Sequence, residues 1–337
     1  MSGDDDAEFG KVRPQAVDRE RDGNNAAGFR ASVSRNGWRV IRGGKPRMDG
    51  ILPQTGRAKS DSWALPRRGE RASGTGLADG GPLGTDGSAL VSRGPPFDVA
   101  LTSGGYVWWY IDALSDDHQY GLTIIAFVGS VFSPYYAVSR RHGSADPENH
   151  VALNVALYGR RAHRWSMTER GRASLHRSTH RLEIGPSHLT WDGNALRISI
   201  REWAVPIPKR IEGEIEIQLA SAPTPPHALD PARRHLWFPI SPIARAFVRL
   251  RHPDMNWSGR AYIDGNLGDK PLADAFRDWS WSRTIEKSRT RVFYDVVRKD
   301  GSAHELAILF DGARAESFAP PANASVGRTL WRLPLEV

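Results

Sequence analysis

The residues able to carry out chemistry are concentrated between His235 and Trp281. That segment reads HLWFPISP, then RHPDMNWSGRAYIDGNLGDKPL, then FRDWSWSR. It interleaves Trp237, Trp257, Tyr262, Trp279 and Trp281 with His235 and Asp264. The chain has no cysteine, which excludes thiol nucleophiles, thiolate zinc sites and disulfides and leaves histidine, carboxylate, hydroxyl and aromatic groups. A carboxyl group set among aromatic rings loses the solvation of its anion and holds its proton above the ordinary Asp pKa of about 3.9. Indole and phenol rings offer π faces to a developing cation. Imidazole titrates near neutrality and can take a proton from water. The same residues also fit a plainer reading. Asp264 precedes Gly265-Asn266 and so opens a turn, and His235 and Trp237, two apart on a strand, share one face and belong to a core.

Other chemistries leave no trace. The sequence contains no Gly-rich phosphate loop, no GxSxG, no HExxH and no EF-hand loop. His176 and His180 are four apart in a polar, strand-like stretch, a poor basis for a metal site.

The elements that must position these groups are strands. From Leu101 onward short apolar runs alternate with turn signals: Ile215, Ile217 and Leu219 alternate with Glu214, Glu216 and Gln218, and Leu196, Ile198 and Ile200 with Arg197, Ser199 and Arg201. Asp192-Gly193 and Asp300-Gly301 sit between such runs and read as tight hairpins. About a dozen strands follow, with one short helical candidate in PLADAFRDW near Pro271–Trp279, so the fold class is all-β and antiparallel. Tyr110-Ile111-Asp112 is echoed by Tyr262-Ile263-Asp264, and the Pro-rich SAPTPPHALDPA of residues 221–232 reads as a linker. The expected organisation is a first β domain at residues 99–220 and a second at 221–337. Residues 1–98, rich in Gly, Arg, Asp and Ser without apolar periodicity, are expected to be a disordered extension.

Of the 337 residues, 39% are hydrophobic and 25% charged, enough for a packed core. Twelve Trp against four Met indicate a core of rigid aromatics rather than adaptable thioethers. The net charge of +8 favours anionic surfaces without choosing between nucleic acid and phospholipid. No basic stretch followed by an apolar run opens the chain, and Leu122–Val138 is too broken by Gly129, Ser130, Ser133 and Pro134 to span a bilayer.

These segments, together with GGYVWWYIDALSDD, IIAFVGSVFSPYY, ALNVALYG, MTERGR and IGPSHLTWDG, resemble the carotenoid 1,2-hydratases, the hydroxyneurosporene synthases of photosynthetic bacteria. The resemblance covers about Gly104 to Phe310. It implies two consecutive lipocalin-like β-barrels and the addition of water to the terminal double bond of an acyclic carotenoid such as neurosporene or lycopene, without cofactor or metal. No match to the family is expected within residues 1–98, and relatives are expected to continue past Val337, so the second barrel is expected to be incomplete.

The resemblance also assigns roles. Asp264 would protonate C2 and leave a tertiary cation at C1. Trp237 and Tyr262 would stabilise that cation with their π faces, and His235 would take the proton from the attacking water. Asp112, in the matching YID of the first unit, is the next candidate acid, whereas Asp116 and Asp117 read as surface turn residues. Since the substrate resides in a membrane and no span is found, the expected location is the cytoplasmic face of the inner (photosynthetic) membrane, bound peripherally to anionic lipid. The rival reading is a non-catalytic carotenoid or lipid carrier, and the feature that separates the two is an ionisable Asp inside the ligand cavity. Nucleic acid is not expected as a partner, because the basic residues are spread along loops and the extension.

Overall fold

The alternation of side chains along each strand decides which residues enter which of two cores. The structure, a computed structural model, describes residues 94–320 except 144, 161 and 287, and the backbone of 30–33, 39–43, 325–328 and 334–336. The expectation for the remainder of 1–98 lies outside the described residues. In chain order the elements are β1 (Arg30–Val33), β2 (Arg39–Gly43), β3 (Tyr106–Ser115), β4 (Tyr120–Val128), α1 (Pro134–Arg141), β5 (Val151–Gly159) and β6 (Arg164–Arg170). There follow β7 (Leu175–Ser178), β8 (Arg181–Ile184), β9 (Ser187–Trp191), β10 (Ala195–Trp203), β11 (Arg210–Leu219), β12 (His227–Ala228), β13 (His235–His252) and β14 (Met255–Gly268). The chain ends with α2 (Leu272–Ala275), β15 (Phe276–Glu286), β16 (Arg289–Arg298), β17 (Ala303–Asp311), β18 (Arg314–Ser317), β19 (Ser325–Arg328) and β20 (Pro334–Glu336).

The protein is all-β and antiparallel, as its alternation requires. Twelve strands form one sheet in the order β6-β5-β4-β3-β14-β13-β11-β10-β9-β8-β7, with β12 paired to β13. This sheet curls into a nearly closed barrel. Across the gap the Val205 N–H donates to the Trp165 carbonyl at 2.8 Å. Arg170 also reaches the buried Glu202 at 2.8 Å, and Ser187 donates to the other oxygen of that carboxylate. A second sheet runs β1-β2-β15-β16-β17-β18. The expected boundary at residue 220 falls between β11 and β12, both strands of the larger sheet.

One face of every long barrel strand turns inward: Val107, Trp109 and Ile111 on β3, Leu153 and Val155 on β5, Ile198 and Ile200 on β10, Ile215 and Ile217 on β11, Ile263 and Leu267 on β14 join one continuous core. The barrel interior is therefore filled mainly by aliphatic side chains, with Phe97, Trp109, Trp191 and Phe238 among them. The outward face of β3, β4, β13 and β14 carries Tyr106, Trp108, Tyr110, Phe127, Trp237 and Tyr262, and these pack against Trp279, Trp281, Val292, Tyr294, Ile308 and Phe310 of the second sheet. Two cores thus share one wall.

Local chemistry explains the departures from the sequence reading. Asp192-Gly193 and Asp300-Gly301 do join paired strands, with Gly193 and Gly301 at φ +97° and +88°, the left-handed region their turns demand. The helical turns expected from PLADAFRDW stop at Ala275, because Phe276, Trp279 and Trp281 are taken into β15 by pairing with β16. The eight-residue α1 was missed; the Ser133 hydroxyl caps it by accepting from the Tyr136 N–H at 2.9 Å, and Pro134 occupies its first turn. Within the Pro-rich segment, His227–Ala228 pairs with Trp237 and Leu236, so that stretch lines the second core.

Candidate active site

Asp264 sits on β14 between Tyr262 and Asn266, all three on the outward face of the barrel wall. The segment is strand, not turn. Gly265 is required by close packing: a Cβ there would lie 2.4 Å from the Phe238 ring and 2.8 Å from the Trp108 carbonyl oxygen. At Gly268 a Cβ would meet the Tyr106 ring at 2.4 Å. The absence of side chains at these positions lets β13 and β3 close tightly on both sides of the Asp264 strand.

The Asp264 carboxyl is 3% exposed. Its Oδ2 accepts from the Trp237 Nε1–H at 2.7 Å and from the Tyr262 hydroxyl at 2.7 Å. Both donors converge on one oxygen, which leaves Oδ1 as the position for a proton. Burial dominates its titration and, helped by the nearby Asp112, pushes the pKa up to about 7 against the downward pull of the two donors and Arg283. An acid that is half protonated near neutrality can donate at physiological pH. Burial and the adjacent Asp264 also push the Tyr262 phenol well above its usual range, so it remains a donor.

Asp112 lies opposite Tyr262 in the β3–β14 register and is fully buried. It is held as an ion pair: the Arg283 Nε donates to its Oδ2 at 3.0 Å, the Arg283 Nη2 to its Oδ1, and the Tyr110 hydroxyl to Oδ2 at 2.9 Å. The Arg283 guanidinium also lies 5.2 Å from the Tyr262 ring centroid. A carboxylate saturated in this way is a poor proton donor. The echo of the YID triplet is therefore real in space: its two aspartates face the same core, one free to hold a proton and the other paired.

A cavity of about 20 Å³ opens beside Asp264, walled by Trp108, Tyr110, Trp279, Trp281 and Tyr294, with Asn266 as its other polar member. An indole–phenol cluster surrounds it: Trp281 meets Tyr110 at 5.1 Å and Tyr262 at 5.3 Å between centroids. Trp237 donates its N–H to Asp264, and its ring faces His227 at 5.2 Å and Tyr294 at 5.6 Å.

His235 shares the outward face with Trp237 but lies elsewhere along the strands. It pairs with Gly268, four residues beyond Asp264, a separation of about 13 Å along the sheet. Its Nδ1 is 2.9 Å from the Tyr106 hydroxyl, and its ring meets the edge of Phe276 at 4.9 Å between centroids. Burial lowers its pKa, partly offset by Asp230 and Asp269. The structure therefore brings together Asp264, Trp237 and Tyr262 and sets His235 apart from them. Asp116 and Asp117 occupy the exposed β3–β4 turn, where Asp116 pairs with Arg245. His176 and His180 join no cluster: among the described residues no group of three or more His, Asp or Glu is disposed to hold a metal ion.

Sequence reasoning missed Arg283, Tyr294 and the role of Asn266. The signal for Arg283 was its phase, since Trp279, Trp281 and Arg283 occupy alternate positions of one strand and so share its buried face. Tyr294 alternates in the same way with Val292 and Val296.

Comparison with known proteins points the same way. Residues 124–337 match the family described as "Carotenoid hydratase CrtC". The chain is 48% identical over 312 residues to the acyclic carotenoid 1,2-hydratase of Thiocapsa roseopersicina, an alignment covering 92% of this chain and 77% of that protein. It is 44% identical over 332 residues to the protein of the same name from Rubrivivax gelatinosus, covering 96% and 81%, so the likeness extends into residues 1–98, where no match to the family was expected. Over 211 residues it is 37% identical to the Rhodobacter capsulatus protein of that name, covering 62% and 73%.

Proposed function

The chain belongs to the carotenoid hydratase family and is a hydratase, and from that premise we propose that it adds water across the terminal C1–C2 double bond of acyclic carotenoids such as neurosporene or lycopene, with Asp264 as the acid. The observation that carries this reading is a buried carboxyl with a pKa near 7, placed in the wall of an aromatic cavity. Proton transfer from Oδ1 to C2 places the positive charge on the tertiary carbon C1. Trp237 and Tyr262 fix the carboxyl through Oδ2, so the acidic oxygen has one orientation. The rings of Tyr110, Trp279 and Trp281 flank the position of the cation and stabilise it by about 2 kcal/mol each when desolvated, without a lone pair to trap it. A carrier needs no buried acid in its ligand cavity.

The cavity holds about 20 Å³, whereas sites for drug-sized ligands run to roughly 300–1,000 Å³. Entry of the isoprenoid end therefore requires the aromatic walls to part between barrel and second sheet. Among the described residues no helix is long and apolar enough to cross a membrane. The turn between β10 and β11 offers a means of docking on one: Trp203 (54% exposed), Val205 and Ile207 (66%) project beside Arg201, Lys209 and Arg210. Apolar tips flanked by cations suit an anionic bilayer, each well-placed cation contributing about 1 kcal/mol.

The activity is tested by incubating the purified full chain with lycopene and with neurosporene and following products by chromatography and mass. A product heavier by one water is expected from wild type and not from Asp264→Asn. Hydration by the Asn variant at the wild-type rate would move the acid elsewhere.

A further inference from the structure

We propose that the cavity beside Asp264 is the seat of the attacking water, that Asn266 and Tyr294 position it, and that the same Asp264 carboxylate which gave up the first proton takes the second one back. This rests on the reading of Asp264 as the acid.

Four observations converge. The cavity volume of about 20 Å³ exceeds the 10–15 Å³ or so that one water requires. The polar atoms around it are unspent. The Asn266 Nδ2 donates to the Tyr294 hydroxyl oxygen at 3.0 Å, which leaves the Tyr294 O–H proton and the Asn266 Oδ1 without a protein partner among the described residues. Among the described residues no donor serves the Asp264 Oδ1, since Trp237 and Tyr262 both donate to Oδ2. Asn266 is 3% exposed and Tyr294 2%, so bulk water does not meet these needs. A buried water forms about three hydrogen bonds, and this corner of the cavity offers donors and acceptors for that number.

The geometry also decides which base serves the water. C1 and C2 are adjacent atoms, so the base for a water bound at C1 must lie close to the acid that protonates C2. His235 is about 13 Å further along the strands, with its Nδ1 engaged by Tyr106. Asp112 is saturated by Arg283 and Tyr110. Asp264, once ionised, is the remaining acceptor.

The step balances. The Oδ1–H bond breaks and the π electrons of the alkene form the C2–H bond, leaving the cation at C1. A lone pair of the water, held by the Tyr294 O–H and donating to the Asp264 Oδ1, forms the O–C1 bond. The water O–H bond then breaks and its proton passes to the Asp264 carboxylate. The acid is regenerated, one water is consumed per tertiary alcohol, and no other reactant is needed. Because both new bonds form from the side of one carboxyl group, the addition is syn.

The test separates protonation from water capture. Lycopene is incubated with full-length wild type, Tyr294→Phe, Asn266→Leu and Asp264→Asn in D2O, and both hydrated product and deuterium in recovered lycopene are measured by mass. Tyr294→Phe and Asn266→Leu are expected to lose hydrated product at least tenfold while deuterium still enters the recovered substrate, since a cation without its water returns to alkene by losing a proton. A product-to-exchange ratio equal to wild type in both variants would overturn the proposal. So would a parallel loss of both signals in folded protein, because the residues would then serve the acid rather than the water. Melting curves establish folding, and the two variants act independently, so failure of one to fold leaves the other decisive. If Asp264→Asn retains both exchange and hydration, the underlying reading of the acid fails, whatever Tyr294 does.

Discussion

An acid kept protonated by burial strains the protein whenever the pH exceeds its pKa, and this gives the most informative prediction. In the folded chain Asp264 titrates at about 7, against 3.8 for an ordinary Asp. Between those values the folded state holds a proton that the unfolded state has lost, so stability falls as pH rises through the window and the full penalty is reached above the folded pKa. At 1.36 kcal/mol per unit, the gap from 3.8 to about 7 corresponds to about 4 kcal/mol. Asp264→Asn removes the titration while its side-chain oxygen still accepts from Trp237 and Tyr262. The variant should therefore be more stable than wild type at pH 8 by several kcal/mol, and the advantage should shrink by about 2–3 kcal/mol on going to pH 5. Urea unfolding of both proteins at pH 5, 6, 7 and 8 measures this directly, since every other titrating group is common to the pair and cancels. A stability difference independent of pH, or an Asn variant that loses stability on going from pH 5 to pH 8, would refute the claim that Asp264 is a buried acid poised near neutrality. The same titration predicts that hydration by wild type declines above pH 7, as the acid is lost.

Three further outcomes follow from the site. Trp237→Phe removes one of the two donors that favour the ionised carboxyl, so the upper pH limit of hydration should move upward, read from a rate–pH profile alongside wild type. Arg283→Met leaves Asp112 buried without its partner and should destabilise the fold by about 3–5 kcal/mol, with Arg283→Met/Asp112→Asn recovering most of that loss in chemical denaturation. Trp203→Ser with Ile207→Ser should reduce sedimentation with anionic vesicles while leaving the melting temperature nearly unchanged; undiminished binding would place the docking surface elsewhere.

How far the sequence could be read depended on whether a feature was local. The alternation in ALRISIREW and RIEGEIEIQL disclosed paired strands, because each residue's face follows from its neighbours alone. The aromatic segment disclosed Asp264, Trp237 and Tyr262 through residue type and resemblance, but residue type left Asp264-Gly265-Asn266 equally readable as a turn. What settles it is the Phe238 ring against Gly265, a contact between strands that no local pattern announces. The separation of His235 from Asp264 was likewise hidden, since it depends on the register of β13 against β14 and on the irregularities between Pro239 and Ala244 that shift that register. Tyr294 lies 30 residues beyond Asp264 in sequence and reaches it only because a second sheet folds back over the barrel wall.

The wall shared by the two cores has a consequence for which changes the chain can absorb. Along β3 and β14 the parity of a position assigns its work: Trp109, Ile111, Ile263 and Leu267 build the barrel core, and Tyr110, Asp112, Tyr262, Asp264 and Asn266 face the aromatic core shared with the second sheet, where the cavity lies. A point substitution therefore touches one of these tasks at a time, and stability can be raised from inside the barrel without reaching the acid. Inserting or deleting a single residue within either strand does the opposite. It exchanges the two sets beyond the point of change, driving Asp264 into the barrel core and an isoleucine into the aromatic core. Changes in chain length are consequently confined to the turns, and the reading frame of alternation becomes as much a determinant of the chemistry as the residues themselves.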